Sequence, residues 1–271
     1  MQNDYTKIKN VSLAVILTAT LLVLLRSLLL ILGFDFEDAF FKNDTLAYSL
    51  YALFILGTIL SYFFGKGIKT DFYSVEKCKA REIVLSLATA VFLLLTVLYI
   101  IKLSEFSATD VKNPLKSVSY SICLPTAVLS AVYYSLRLFT KKCGVAVSLL
   151  ALCPVIFLSS LLLERFATVS ASASSLSHFP DVMSLLILAF YMLGEGKSFI
   201  PDSTKKSRLP SLLAVFTALT FSALPDLIAL AVPSNILYFE DACYLLLKLV
   251  FIAYVIIEAL LFSKSIKEIE K

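Results

Sequence analysis

The stretch that decides the fold is VSLAVILTATLLVLLRSLLLILGF, residues 11–34. Its only charged residue is Arg26. A membrane-spanning helix needs about 20 predominantly apolar residues in a row, so this stretch predicts one. It is too long for a signal peptide and no small-residue cleavage pattern follows it, which predicts an uncleaved membrane anchor. A charge inside such a helix is costly, so Arg26 needs a physical explanation.

The composition of the whole chain agrees with a membrane location. Of the 271 residues, 59% are hydrophobic and only 16% are charged, and the mean hydropathy is +0.88. Soluble domains carry about 25% charged residues and fewer apolar ones. A water-soluble core of this length could not hide so many apolar side chains, so the bilayer itself is the first partner that the sequence requires.

Apolar blocks repeat along the entire chain. There are eight, at residues 11–34, 46–64, 83–103, 118–139, 144–163, 181–199, 209–232 and 243–263. The sixth is the weakest, because its apolar centre VMSLLILAFYMLG (182–194) is short, and a half-crossing segment is the alternative there. The connections are too short to bury a core of their own. The sequence therefore predicts an all-α, polytopic transmembrane helix bundle of about eight spans, forming a single domain over residues 1–271.

The distribution of Lys and Arg predicts the orientation. With eight spans and a cytoplasmic N-terminus, the cytoplasmic side receives 17 basic residues, which are Lys7, Lys9, Lys66, Lys69, Lys77, Lys79, Arg81, Arg137, Lys141, Lys142, Lys197, Lys205, Lys206, Arg208, Lys264, Lys267 and Lys271. The outer side receives five, which are Lys42, Lys102, Lys112, Lys116 and Arg165. This asymmetry follows the positive-inside rule and predicts a multi-pass protein of a bacterial-type plasma membrane with both termini in the cytoplasm. Because the basic residues sit in short loops, nucleic acid is not an expected partner.

Motifs of soluble enzymes and metal sites do not occur. The chain has no HExxH, GxSxG or Walker sequence, and its single histidine, His178, has no neighbouring Cys pair. None of the five cysteines forms CxxC, and Cys123 and Cys243 are predicted to be free thiols, with a disulfide near the outer face as the alternative. The sequence therefore assigns no catalytic residue, no metal ligand and no cofactor.

Charges inside the spans are the candidate binding residues. Arg26, Asp226 and Lys248 lie at similar depth in the outer halves of the first, seventh and eighth spans. Arg26 can stretch toward the headgroups, which is one explanation, but three charges at one depth favour a cluster in which Arg26 pairs with Asp226. Pro225 is expected to loosen the backbone beside Asp226.

A second set of candidate binding residues lies in the inner halves of the spans. These are Arg137, Glu195 and Glu258, of which the first two are close enough to the interface to be ordinary helix-end charges. Helical spacing puts Ser130, Tyr133 and Arg137 on one face, Ser184, Tyr191 and Glu195 on another, and Tyr254 and Glu258 on a third. The prediction is a polar seam between two charged layers, which is either structural or a path for a ligand.

Prolines and small residues suggest how the helices pack. Pro125, Pro154 and Pro225 fall inside spans and are expected to kink them. Glycine is scarce, at seven residues, and no GxxxG pair lies within a span, so close helix contacts are expected to use Ala and Ser.

Two longer stretches carry a resemblance. LLRSLLLILGFDFEDAFF (24–41) and LLLERFATVSASASSLSHFPDVMSLLILAFYMLGEGKSF (161–199) resemble eight-helix membrane proteins of low-GC Gram-positive bacteria. Those proteins similarly place an arginine late in the first span, before an aromatic-acidic turn, and end a short sixth span with an acidic-small-basic step such as EGK (195–197). The resemblance implies eight spans and no particular activity.

Three classes of function stay open at this point. The leading hypothesis is non-enzymatic binding or transport of a small polar or amphipathic solute through the charge-lined seam. The main alternative is an accessory or sensor membrane protein whose protein partner supplies the activity. A membrane-embedded lipid-modifying enzyme is the third, and it has no motif to support it.

Overall fold

A computed structural model describes most of the chain. The described residues are 2–35, 40–41, 43–66, 78–106, 114–139, 145–169, 178–197, 208–229 and 239–269. Within them the helices are α1 (Gln2–Gly33), α2 (Asp44–Lys66), α3 (Lys79–Phe106), α4 (Pro114–Phe139), α5 (Val145–Leu150), α6 (Leu152–Val169), α7 (Phe179–Lys197), α8 (Leu209–Ala229) and α9 (Phe239–Ile269). Two short strands, β1 (Phe34–Asp35) and β2 (Phe40–Phe41), pair antiparallel between α1 and α2.

The predicted all-α bundle of eight spans is confirmed. Eight segments of the described chain are helical, long and apolar enough to cross a membrane, with α5 and α6 together forming the fifth. The sixth, α7, is an unbroken helix of 19 residues. At roughly 1.5 Å per residue it extends about 28 Å, close to the thickness of a hydrocarbon core. This continuity favours a full crossing over a half-crossing segment.

Of the three prolines inside spans, Pro154 has the largest effect on the backbone. The block predicted at 144–163 is divided by a turn at Ala151, where α5 ends and α6 begins. Because Pro154 has no N–H, the carbonyl four residues earlier, at Leu150, loses its helical partner. By contrast, α4 continues through Pro125 and α8 through Pro225.

The fifth span ends later than its apolar block. Residues 164–180 were expected to form an outer loop, but α6 continues to Val169 and therefore contains Glu164 and Arg165. Glu164 is buried. The prediction was wrong because a charged residue ends an apolar pattern without ending a helix, since Glu and Arg are both good helix formers.

The bundle is organised around α8. This helix packs against α1, α2, α7 and α9, while α3 packs against α4 and α9, and α4 against α6. One core cluster unites α3, α4, α6, α7 and α9 with one side of α8, and a second unites α1 and α2 with the other side. We call the end of the bundle that holds the C-terminus of α1 the outer end and the opposite end the inner end, following the predicted orientation.

Small residues mediate the packing of α2 against α8, as expected. Ala47 and Ala218 are completely buried in the core cluster shared by these helices. The hydroxyls of Ser61 and Thr217 lie 2.9 Å apart and form a hydrogen bond between them. Such contacts let helix backbones approach closely in a membrane.

Glycine contributes more to the packing than its scarcity suggested. A Cβ added at Gly65 would lie 2.6 Å from Cα of Pro210, and one added at Gly57 would lie 2.9 Å from Cδ1 of Leu22. The first contact is with the backbone of α8 and the second with a side chain of α1. The expectation that Ala and Ser alone provide close contacts is therefore wrong for α2.

We expect Gly65→Ala to lower the thermal stability of the purified protein. The methyl group would collide with the backbone of Pro210, and overpacking of this kind costs about 1–3 kcal/mol. Gly194→Ala is the control, because no atom lies within 4 Å of its added Cβ and Ala is the better helix former. Equal melting temperatures for the two variants would contradict the close approach of α2 and α8.

Candidate functional site

Four helices bring charged side chains together in the outer half of the bundle. The group, which we call the outer cluster, consists of Arg26 from α1, Asp181 from α7, Ser222 and Asp226 from α8, and Lys248 from α9. The positive charges of its two cations offset the negative charges of its two carboxylates. The predicted meeting of Arg26, Asp226 and Lys248 is thus confirmed in its geometry.

Arg26 binds the backbone of α8 as well as Asp226. Its Nη2 lies 2.7 Å from Oδ1 of Asp226, and Nη1 donates to the carbonyl oxygens of Phe221 at 2.5 Å and Ser222 at 2.6 Å. Pro225 has no N–H to offer to the Phe221 carbonyl, so the arginine replaces the missing helical hydrogen bond. Arg26 is 3% exposed. It is therefore buried in the bundle, and the alternative in which it stretches to the headgroups is wrong.

Lys248 is shared between two carboxylates. Its Nζ lies 2.7 Å from Oδ1 of Asp181, 3.0 Å from Oγ of Ser222 and 3.5 Å from Oδ2 of Asp226. Sequence reasoning missed Asp181, because it lay at the edge of the sixth apolar block. A usable signal was charge balance, since two buried cations with a single aspartate leave one cation uncompensated.

The carboxylates of the outer cluster are its accessible part. The side chains of Asp181 and Asp226 are 21% and 32% exposed, whereas those of Arg26 and Lys248 are 4% and 6% exposed. The two cations are therefore the more buried partners of the outer cluster, and the two carboxylates are the more accessible ones.

A second network extends the outer cluster along α9. Glu164 accepts a hydrogen bond from the Tyr99 hydroxyl at 2.7 Å and pairs with Lys102, which also lies 2.9 Å from Glu240. The hydroxyls of Tyr99 and Tyr244 are 3.0 Å apart. We call Tyr99, Lys102, Glu164, Glu240 and Tyr244 the Glu164 network. Lys102, at the edge of the third apolar block, was counted among the outer basic residues, whereas the structure puts it within α3, which continues to Phe106.

The inner end holds a separate, deeply buried group. Arg137 Nη1 lies 2.6 Å from Oε1 of Glu195 and 2.8 Å from the hydroxyl of Tyr254, which itself donates to Glu195. The side chains of Arg137 and Glu195 are only 4% and 1% exposed. Their interpretation as ordinary helix-end charges is wrong, because α4, α7 and α9 converge at this point.

Glu258 completes this group, which we call the inner cluster. It lies 2.9 Å from Nε of Arg81, and both side chains are buried. Arg81 was counted among the loop residues, but α3 begins at Lys79, so Arg81 belongs to its first turn. Glu258 was correctly predicted to lie inside the bundle, and its partner was missed.

The predicted polar seam between the two layers is interrupted. Ser130 and Ser184 donate to carbonyls of their own helices, those of Thr126 and Asp181, and do not bridge between helices. On α9, Phe251 lies one turn from both Lys248 and Tyr254 and is completely buried. It packs with the rings of Phe92, Tyr134 and Tyr254. An aromatic layer therefore separates the outer and inner clusters.

None of the cysteines that the structure describes belongs to the outer or the inner cluster, and His178 meets the outer cluster through its backbone carbonyl, which accepts from the amide of Asp181. Cys123 and Cys243 are buried free thiols, as predicted, and Cys143 lies outside the described residues. Burial lowers the pKa of His178, so its ring is neutral at pH 7. Among the described residues, no three His, Cys, Asp or Glu side chains are grouped so that they could hold a metal ion.

The fold and the charged clusters define a multi-pass α-helical membrane protein. Comparison with known proteins adds no relative to this description, since no family model, no curated protein and no solved structure matches the chain. The resemblance to eight-helix proteins of low-GC Gram-positive bacteria therefore stays a prediction.

Proposed function

We propose that the protein binds a small polar or amphipathic solute at the outer cluster and carries it across the membrane. The observation that carries the proposal is the arrangement of the outer cluster, in which two partly exposed carboxylates pair with two buried cations. Ionisable residues placed inside a bilayer are costly, and they commonly mark the path of an ion or solute.

The spacing within the outer cluster supports exchange of partners. Asp226 contacts Arg26 at 2.7 Å but Lys248 only at 3.5 Å, while Lys248 has a shorter contact with Asp181. A charged group on a solute can take the place of the weaker contact without leaving any of these residues unpaired. That matters because a stranded buried charge costs several kcal/mol.

The aromatic layer and the inner cluster indicate which parts of the bundle would have to open during transport. Phe251 and its neighbouring rings block passage beyond the outer cluster, and the inner cluster closes the opposite end. Passage of a solute requires these two barriers to open, and both involve α9. Transport would thus alternate between opening at the outer end and opening at the inner end.

A second candidate function has one observation in its favour. In the described part of the chain, Arg26, Lys248, Arg137 and Glu258 each have an oppositely charged partner, which also suits a purely structural role in an accessory or sensor protein. Co-purification of a stable protein partner would favour this candidate. The binding experiment below separates the two.

We further propose that the protein resides in a bacterial plasma membrane with both termini in the cytoplasm, on the basis of its 17 inner and five outer basic residues. In a cysteine-free background, single cysteines at Lys77, Lys141 and Ser207 should resist an impermeant thiol reagent in intact cells. Cysteines at Asp44, Asn113 and Ser174 should react. Labelling at Ser207 from outside would contradict the sixth crossing.

The function is tested by thermal unfolding of the purified full-length protein with a panel of amino acids, amines, carboxylic acids, sugars and polyamines. A solute present at 100 times its Kd stabilises the folded state by about 2.7 kcal/mol. We expect at least one solute to raise the melting temperature of the wild type, and Asp181→Asn to abolish that rise.

Asp241→Asn is the matched control for this experiment. Asp241 also lies at the outer end, but its side chain is half-exposed and pairs with Arg165 outside the outer cluster. Its variant should respond to the solute as the wild type does. A rise that persists in Asp181→Asn, or no rise with any solute, would contradict binding at the outer cluster.

A further inference from the structure

Tyr51 places an unused hydroxyl beside the outer cluster. The side chain belongs to α2, is 4% exposed and packs against the rings of Phe179 at 5.3 Å and Phe221 at 6.4 Å between centroids. Within the described part of the chain its hydroxyl has no hydrogen-bond partner. Buried polar groups are nearly always paired, so an unpaired one indicates a position for a ligand or a water.

Arg26 has an unused donor in the same region. Its two Nη atoms are occupied by Asp226 and the carbonyls of α8, but its buried Nε has no partner among the described residues. The guanidinium lies 5.4 Å from the centre of the Phe221 ring, against which Tyr51 also packs. The charged groups that act on the Tyr51 hydroxyl are Arg26, Asp226 and Asp181. Both unused donors therefore call for an acceptor oxygen beside the outer cluster.

The carboxylates of Asp181 and Asp226 offer hydrogen-bond acceptors to a solute, whereas Tyr51 and Arg26 offer donors. Ser222 and Lys248 both contact Oδ1 of Asp181, which within the described parts of the chain leaves Oδ2 for another donor. Oδ2 of Asp226 has Lys248 at 3.5 Å, beyond the range of a good hydrogen bond. Both side chains are partly exposed, and an ammonium group, with three donors, can bond to more than one carboxylate oxygen.

We propose that the solute is a small zwitterion. Its amine cation lies on Asp181 and Asp226, and its carboxylate accepts hydrogen bonds from Nε of Arg26 and the hydroxyl of Tyr51. This assignment rests on the proposed function of the outer cluster and names the class of its substrate. Arg26 and Tyr51 are buried while the two acids are partly exposed, so the carboxylate of the solute takes the more buried end of the site and the amine the more accessible end.

A matched set of three probes tests the assignment on the purified full-length protein. It comprises α-amino acids, the corresponding amines without the carboxylate, and the corresponding carboxylic acids without the amine. We expect an amino acid to raise the melting temperature more than the corresponding amine or the corresponding carboxylic acid does. Tyr51→Phe, which removes only the hydroxyl, should weaken its affinity by roughly tenfold to a hundredfold, the value of one hydrogen bond to a charged group.

Two further measurements keep the test independent of folding. The melting temperature of Tyr51→Phe without solute should not fall, because the lost hydroxyl has no partner in the described structure. Tyr48→Phe is the control, since Tyr48 lies on the same helix but is exposed, and its variant should bind as the wild type does. A Tyr51→Phe protein that melts earlier and binds normally would show that the hydroxyl holds a structural water, which overturns the assignment.

The outcomes separate this inference from the proposed function. If an amine, a sugar or a polyamine binds as well as any amino acid and Asp181→Asn abolishes that binding, the outer cluster is a solute site and the zwitterion assignment is wrong. If no probe in either set changes the melting temperature, the proposed function itself is contradicted.

Discussion

Glu195→Leu should be among the most destabilising single substitutions, with an expected loss of roughly 3–5 kcal/mol. Glu195 and Arg137 are 2.6 Å apart and almost fully buried. Removing the carboxylate leaves the guanidinium charged in a low-dielectric interior, with the Tyr254 hydroxyl as a remaining but neutral partner. Thermal or denaturant unfolding of the purified protein measures the loss.

A double variant and a less buried ion pair are the controls for this prediction. Arg137→Leu combined with Glu195→Leu should recover much of the loss, because a neutral pair strands no charge. Asp241→Leu breaks a longer pair, 3.3 Å from Arg165, in which the carboxylate is half-exposed, and it should cost clearly less than Glu195→Leu. Equal losses for Glu195→Leu and Asp241→Leu would show that the inner cluster is not buried as described.

Arg26→Leu and Asp226→Leu are expected to have the next largest effects, again roughly 3–5 kcal/mol each. Arg26→Leu should be the more severe of the two. It leaves Asp226 with the longer contact to Lys248 at 3.5 Å, and it also leaves the carbonyl of Phe221 without a donor, because Pro225 cannot supply one. The double variant should recover much of the loss, which a double-mutant cycle on the melting curves can measure.

The role of Pro225 gives this prediction a second test. In a Pro225→Ala background the restored N–H can bond to the Phe221 carbonyl, so Arg26→Leu should cost less than it does in the wild type, by about 1 kcal/mol. The pairing of Arg26 with Asp226 would be contradicted if the stability losses of the two single variants summed, within about 0.5 kcal/mol, to the loss of the double variant. An unchanged penalty in the Pro225→Ala background would contradict the backbone contact.

Much of the fold follows from the apolar blocks in the sequence. Each block is long enough to span a bilayer, and a span must be helical because no water is present to satisfy its backbone. The pairing of Arg26 with Asp226 was also accessible, since both lie at similar depth and a lone charge there is costly. Depth along a helix can be read from residue number at about 1.5 Å per residue.

The rotation of each helix and its true ends could not be predicted in this way. Asp181, Glu164, Lys102 and Arg81 were assigned to boundaries or loops because charges end an apolar pattern, whereas the helices continue past them. Whether such a residue faces lipid, water or a partner depends on packing against neighbouring helices. The aromatic layer was missed for the same reason, since Phe251 reads as an ordinary apolar residue until its neighbours are known.

The most direct test of the central claim, that the outer cluster binds a solute, uses the Arg26→Leu/Asp226→Leu protein. This protein should recover much of the stability that the single variants lose, so that solute binding can be measured in a folded protein. We predict that the solute giving the largest rise in wild-type melting temperature has no effect on the double variant, because binding requires the charges themselves. An equal rise in the two proteins, or none in the wild type, would contradict the claim and leave the outer cluster with a structural role.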